Sequence, residues 1–264
     1  MTNAAFLGRP RRLLHACFTL FIAGVFLAAP ARAARSSEML TGYVSLLSNY
    51  VGRGLAQSVG NPSLQAELNV NPSDGLYGGA SASSINWIDQ LYPGSSVSVE
   101  VDGWLGYRKS FANDWTFKGG VLRLQFPGEY AAQTVRPDTT EVFAFIGWRS
   151  ASARLNYAVT DAFGTPDSRG SWYLDIAASM PLGETWNAGV HVGRKQSRGT
   201  DPGTGLANDR SSYTDYKLSL AHGFSHGTSI SLAYTWTNAD SSLYTLNGYN
   251  VAGHHVWVAL QKDF

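Results

Sequence analysis

One cysteine, Cys17, occurs in the whole sequence, and it lies close to the start of the chain. That scarcity excludes a disulfide framework and any cysteine-clustered metal site. Charge is sparse as well. Only 15% of residues are Asp, Glu, Lys or Arg, and the formal net charge is +1, so no basic field for nucleic acid exists. Beyond residue 33 no stretch approaches ~20 consecutive apolar residues, which excludes a membrane-crossing helix in that part. Long runs of helical periodicity are missing too.

The one long apolar run comes first. Residues 9–12 read RPRR, residues 13–29 read LLHACFTLFIAGVFLAA, and Ala31-Arg32-Ala33 forms a small-x-small site. A charged start, an apolar middle and a small-residue exit predict a signal peptide over residues 1–33, cleaved on export. The run is short for a membrane anchor. Cys17 falls inside it, whereas a lipoprotein cysteine would follow it. Loss of Arg9, Arg11, Arg12 and Arg32 takes Lys+Arg from 20 to 16 against 19 Asp+Glu, so residues 34–264 carry −3. No nucleic-acid partner is expected.

What is abundant is glycine and aromatic side chains: 28 Gly, 13 Tyr, 12 Phe and 8 Trp. Short alternating runs stand between clusters of Gly, Pro, Asn, Asp and Ser, an all-β pattern. In SLQAELNV, Leu64, Ala66, Leu68 and Val70 alternate with Gln65, Glu67 and Asn69. SISLAYTW sets Ile230, Leu232, Tyr234 and Trp236 against Ser231, Ala233 and Thr235. About twelve such strands can be read. The stretches LTGYVSLLSNY and LYGGASASSINW alternate weakly, and Phe143 and Phe145 blur the pattern in EVFAFIGW.

Connections alternate in length. Those near 71–75, 108–114, 149–152, 181–184 and 222–227 are short, and those near 51–61, 88–96, 127–138, 160–170, 195–211 and 238–250 are mostly longer. This rhythm predicts a transmembrane antiparallel up-and-down β-barrel, with short periplasmic turns and longer extracellular loops, in the bacterial outer membrane. Trp87, Trp148, Trp172 and Trp186 near strand ends are expected in interface girdles. The last strand, HVWVALQKDF, carries Val256, Val258, Leu260 and Phe264 on one face. That face is expected against outer-membrane lipid, with Phe264 as a signal to the barrel-assembly machinery.

Several segments resemble the TorF family of porin-like outer-membrane proteins. They are LLSNYVGRGLAQS (46–58), NPSLQAELNV, GLYGGASASSINW, VEVDGWLGY, RLQFPGEY, YTDYKLSL and the terminal Phe. They run in order through most of residues 40–264, although Phe126 stands where Tyr would be expected. The resemblance implies a porin-like barrel and leaves the solute open.

The charged residues of the polar strand faces are Glu67, Glu100, Asp102, Arg123, Glu141, Arg154, Asp175, Asp215 and Lys217, together with His191. Either they line a water-filled pore for small hydrophilic solutes or ions, or they pair off and fill the interior of a structural or surface-interaction barrel. A third class, an outer-membrane hydrolase, needs a nucleophile beside His and Asp, and no such set is legible. Glu100 and Asp102 share one face, as partners for Arg123 or Arg154 or as a paired-carboxylate site. Arg53, in the first external loop, is a pore-mouth candidate. No catalytic residue, metal or cofactor is assigned. Six inward carboxylates against Arg123, Arg154 and Lys217 predict a cation preference that weakens with salt, opposed by Arg53, Lys195, Arg198 and Arg210 in the loops.

Overall fold

The computed structural model describes residues 39–264 apart from 72, 73 and 133. The expected signal peptide, with Cys17, lies outside the described residues. Twelve strands close into one antiparallel barrel. They are β1 (Leu40–Leu47), β2 (Ser63–Val70), β3 (Gly75–Ser84), β4 (Val99–Ser110), β5 (Trp115–Gln125) and β6 (Thr139–Trp148). Then follow β7 (Ala151–Ala158), β8 (Trp172–Leu182), β9 (Trp186–Gln196), β10 (Tyr213–Gly223), β11 (Thr228–Thr237) and β12 (His255–Asp263).

Each strand pairs with the next, and β12 returns to β1 with Tyr43 opposite Asp263 and Leu47 opposite Ala259. Closure leaves no edge strand. Phe264 finishes the seam: it exchanges both backbone hydrogen bonds with Gly42, and its ring occupies the space a Gly42 side chain would need.

The long connections, 48–62, 85–98, 126–138, 159–171, 197–212 and 238–254, all fall at one end. The short ones, 71–74, 111–114, 149–150, 183–185 and 224–227, fall at the other, where β1 starts and β12 stops. The predicted rhythm therefore holds.

The outward face is apolar. Leu105, Leu218, Leu232 and Val256 are exposed, Leu105 and Val256 by 63% and 66%. A belt of this kind is unfavourable in water and is what a bilayer-spanning barrel presents to lipid. Aromatics ring both ends. Trp115 stacks on Trp148 at 5.9 Å near the short turns, with Trp186 also exposed there. Tyr216 and Tyr234 each stack on Trp236 at 5.1 Å near the long loops.

Two expectations about faces need correction. Trp87 is not in a girdle. It opens a short helix, α1 (Trp87–Leu91), in the loop after β3, and meets Phe126 edge-on at 5.7 Å. Arg123 does not line the lumen. On β5 the inward parity belongs to Leu122 and Leu124, both buried, while Arg123 points outward to Thr140 and Asp138. Register confirms the assignment, since Leu124 lies opposite inward Asp102.

The physical reason is the same in both cases. The 85–98 loop folds inward and brings Ile85, Ile88 and Val97 against Tyr77, Trp104, Leu122, Leu124, Phe126, Phe143 and Phe145. An apolar interior patch forms on that side of the barrel, so apolar residues of β5 and β6 face in. The blurred pattern at Phe143 and Phe145 has this origin.

Candidate functional site

The site is built by the first long loop. Val51 pairs with Ala56 and Gly52 with Leu55, which leaves Arg53-Gly54 as a two-residue turn. Both have positive φ, 49° and 78°, the combination that a tight hairpin of this twist needs. Gly54 is required twice over, because a Cβ there would lie 2.4 Å from the Asp215 Cβ. Ser58, fully buried, holds the loop's two arms: it accepts from Tyr50 N–H, and its one hydroxyl proton lies within reach of the Asn61 carbonyl at 2.6 Å and Asn49 Oδ1 at 2.9 Å. Val51 and Ala56 pack on Leu47, Ala233, Trp257 and Ala259 of the wall. The hairpin therefore points into the lumen rather than over the mouth.

Its tip reaches the far wall. The Arg53 guanidinium donates to both oxygens of Glu141, at 2.8 and 2.7 Å. Its Cζ lies 5.0 Å from the Tyr173 ring centroid and 5.6 Å from that of Phe163. Tyr213 Oη donates to the Arg53 carbonyl at 2.7 Å. Burial by itself would weaken Arg53's hold on its proton, but the Glu141 carboxylate outweighs it and keeps the guanidinium firmly charged. Asn156 donates to Glu141 Oε2, shared with Arg53, at 2.6 Å and accepts from Arg154 Nε at 2.7 Å.

A second network lies beside the first. His191 is held between two carboxylates, Nδ1 at 3.1 Å from Asp175 and Nε2 at 2.9 Å from Asp215. Tyr173 Oη donates to Asp215 at 3.0 Å. Gly193 makes room: a Cβ there would sit 2.0 Å from the Tyr173 hydroxyl and 2.4 Å from Asp215 Oδ2. Three neighbouring strands, β8, β9 and β10, are thus tied across the inner surface.

Two cavities flank this polar belt. The one toward the long loops measures about 340 Å³ and is lined by Arg53, Glu100, Tyr173, Lys195, Tyr213 and Tyr244 among others. The one toward the short turns measures about 290 Å³ and includes Phe145, Ser179, His191 and Lys217. No residue lines both.

Nine of the ten expected lumen residues face inward: Glu67, Glu100, Asp102, Glu141, Arg154, Asp175, His191, Asp215 and Lys217. Glu67 is buried and accepts from Asn69 at 2.6 Å. Glu100 and Asp102 are both buried on the same inward face of β4. Two inward cations, Arg108 and Lys118, escaped the sequence reading, and Lys195, expected in a loop, lies on β9 facing inward. Lys118, set over the Tyr77 and Phe145 rings at 5.5 and 5.4 Å, shares the parity of Leu122. A charge in mid-strand on that face was the available sign that Leu122 points in.

The charge count changes accordingly. Arg53, Arg108, Lys118, Arg154, Lys195 and Lys217 face Glu67, Glu100, Asp102, Glu141, Asp175, Asp215 and Asp263. Six cations against seven carboxylates, with His191 between two of the latter, remove most of the acidic surplus behind the expected cation preference.

Barrels of this architecture occur among solved structures. A NanC porin aligns with a TM-score of 0.52 at 10% identity over 84% of this chain and 98% of that one. A KdgM porin aligns with a TM-score of 0.50 at 8% identity over 85% and 99%. At such identities the likeness is one of fold. No curated protein matches the chain by sequence. The Gcw_chp family model, described as a bacterial protein of unknown function, matches residues 31–264, and the chain belongs to that family.

Proposed function

We propose that this barrel is an outer-membrane channel for passive diffusion of small hydrophilic solutes or ions, narrowed toward its long-loop end by the Arg53 hairpin. The observation that carries the reading is the pair of cavities on either side of a polar belt. A closed barrel whose interior holds charged side chains around water-sized space offers a hydrated path through lipid. The resemblance to the TorF family supports the same reading. Nothing in it requires catalysis, and the partners it implies are membrane lipid, the assembly machinery that recognises the strand ending in Phe264, and the solute itself.

A second reading has its own observation. The 85–98 loop fills part of the lumen with apolar side chains, as a barrel with a structural or surface-interaction role would do. Reconstitution of the folded barrel into planar bilayers separates the two. Stepwise conductance supports the channel. Its absence, with the protein shown to be inserted, supports the filled barrel.

A further inference from the structure

Among the lumen cations, Lys195 lines the cavity toward the long loops. It lies on β9 between Tyr173 of β8 and Tyr213 of β10, so one inward row reads Tyr-Lys-Tyr. Its Nζ is 3.3 Å from Tyr244 Oη, 5.5 Å from the Tyr213 ring centroid and 5.8 Å from that of Tyr244. Among the described residues no carboxylate forms an ion pair with it.

Of the carboxylates lining the same cavity, Glu141 holds Arg53, and Asp201 at the rim accepts the Gly203 N–H at 2.8 Å. Lys195 is partly buried, and a carboxylate brought into this cavity would give its ammonium a charge-assisted partner. Around it stand the ring faces of Tyr173, Tyr213 and Tyr244, with Ser211 and Asn208 as polar neighbours. Aromatic faces accept the C–H side of a sugar ring, and the polar groups suit its hydroxyls. The cavity, at about 340 Å³, is at the small-ligand end of the range for binding sites.

From this arrangement we infer that the outer cavity is a binding site for a small acidic sugar, a monosaccharide whose carboxylate pairs with Lys195 above the Arg53 hairpin. The inference deepens the channel reading, since it names the solute class that would collect at the constriction. Carboxylate and ammonium meet without any covalent step.

Binding to the refolded full-length barrel in detergent, measured by calorimetry with D-glucuronate and with D-glucose, tests it. The two sugars differ at C6, carboxylate against hydroxymethyl. Glucuronate should bind and glucose should bind at least about tenfold more weakly, the scale of one charge-assisted hydrogen bond. Lys195→Met keeps the stem and should lose glucuronate by a similar factor, while Lys195→Arg should retain it. Heat-modifiable migration checks that each variant is folded. Equal binding of the two sugars, no binding of glucuronate, or full binding by folded Lys195→Met would each overturn the inference. Conductance is read separately in bilayers. A barrel that conducts but ignores glucuronate sinks the site alone, and one that binds it without conducting sinks the channel alone.

Discussion

Arg53→Met and Glu141→Gln, made singly and together, measure how firmly the hairpin is latched. The two side chains are 14% and 4% exposed, and both donor–acceptor contacts are 2.8 Å or shorter. Removing one member of a buried pair leaves the other uncompensated, at a cost of about 3–5 kcal/mol. Here the loop has some freedom to withdraw, so the lower end, about 3 kcal/mol for each single variant, is expected. Arg53 also sits at φ 49°, a conformation that disfavours a non-glycine residue by about 1–2 kcal/mol, and the Glu141 contact helps to hold it there. In the double variant the two new side chains keep roughly the original volume, and the amide oxygen introduced by Glu141→Gln can still accept from Asn156. Its cost should be close to that of one single variant, which makes the interaction energy about 2–3 kcal/mol. Urea unfolding of the refolded barrel in lipid vesicles, followed by tryptophan fluorescence, supplies all three values. Single costs that simply add, with an interaction below about 0.5 kcal/mol, would show that the latch contributes nothing and that packing alone holds the loop.

Leu218→Arg places a charge on the lipid face and should cost roughly 2–4 kcal/mol near the midplane, whereas Ser219→Arg puts it in the lumen and should unfold at higher urea; the reverse order would mean that β10 is assigned to the wrong face. Gly54→Ala forces a Cβ against Asp215 and should displace the hairpin, so that unit conductance in bilayers rises; an unchanged conductance would place the constriction elsewhere. At the short-turn end, the hydrogen bond from Lys109 lowers the Asp74 pKa below its ordinary value, aided by the Ser110 N–H. Because the folded value is depressed, its contribution is present above the unfolded carboxylate pKa and fades as pH falls through the folded one; Asp74→Asn should therefore be slightly less stable than wild type at pH 7 and equal to it at strongly acid pH, as urea titrations at both would show. Deleting Phe264 removes two backbone hydrogen bonds of the β1–β12 seam and should lower the amount of folded, heat-modifiable protein in the outer membrane; normal levels would mean that the residue is dispensable for assembly.

The order of strands, their antiparallel pairing and the segregation of long and short connections were all legible in the chain alone. They rest on period-two alternation and turn residues, which act over a few neighbours. Most inward residues followed from the same rule, as Glu67, Glu141, His191 and Asp215 show. The rule failed where alternation has two apolar answers. On β5, Leu122 and Leu124 suit either lipid or an apolar interior, and only the infolded 85–98 loop, distant in sequence, decides that they face in and Arg123 out. Trp87 was misplaced for the same reason. The segment LLSNYVGRGLAQS marked Arg53 as unusual, but its partner Glu141 is 88 positions away, and no local pattern joins the two. Lys195 reads as the start of a loop in the sequence. Its position between Tyr173 and Tyr213 exists only because β8, β9 and β10 lie in register, and register is a property of the closed barrel. Local periodicity determined which residues form the wall. Contacts between residues far apart in the chain decided what stands inside it.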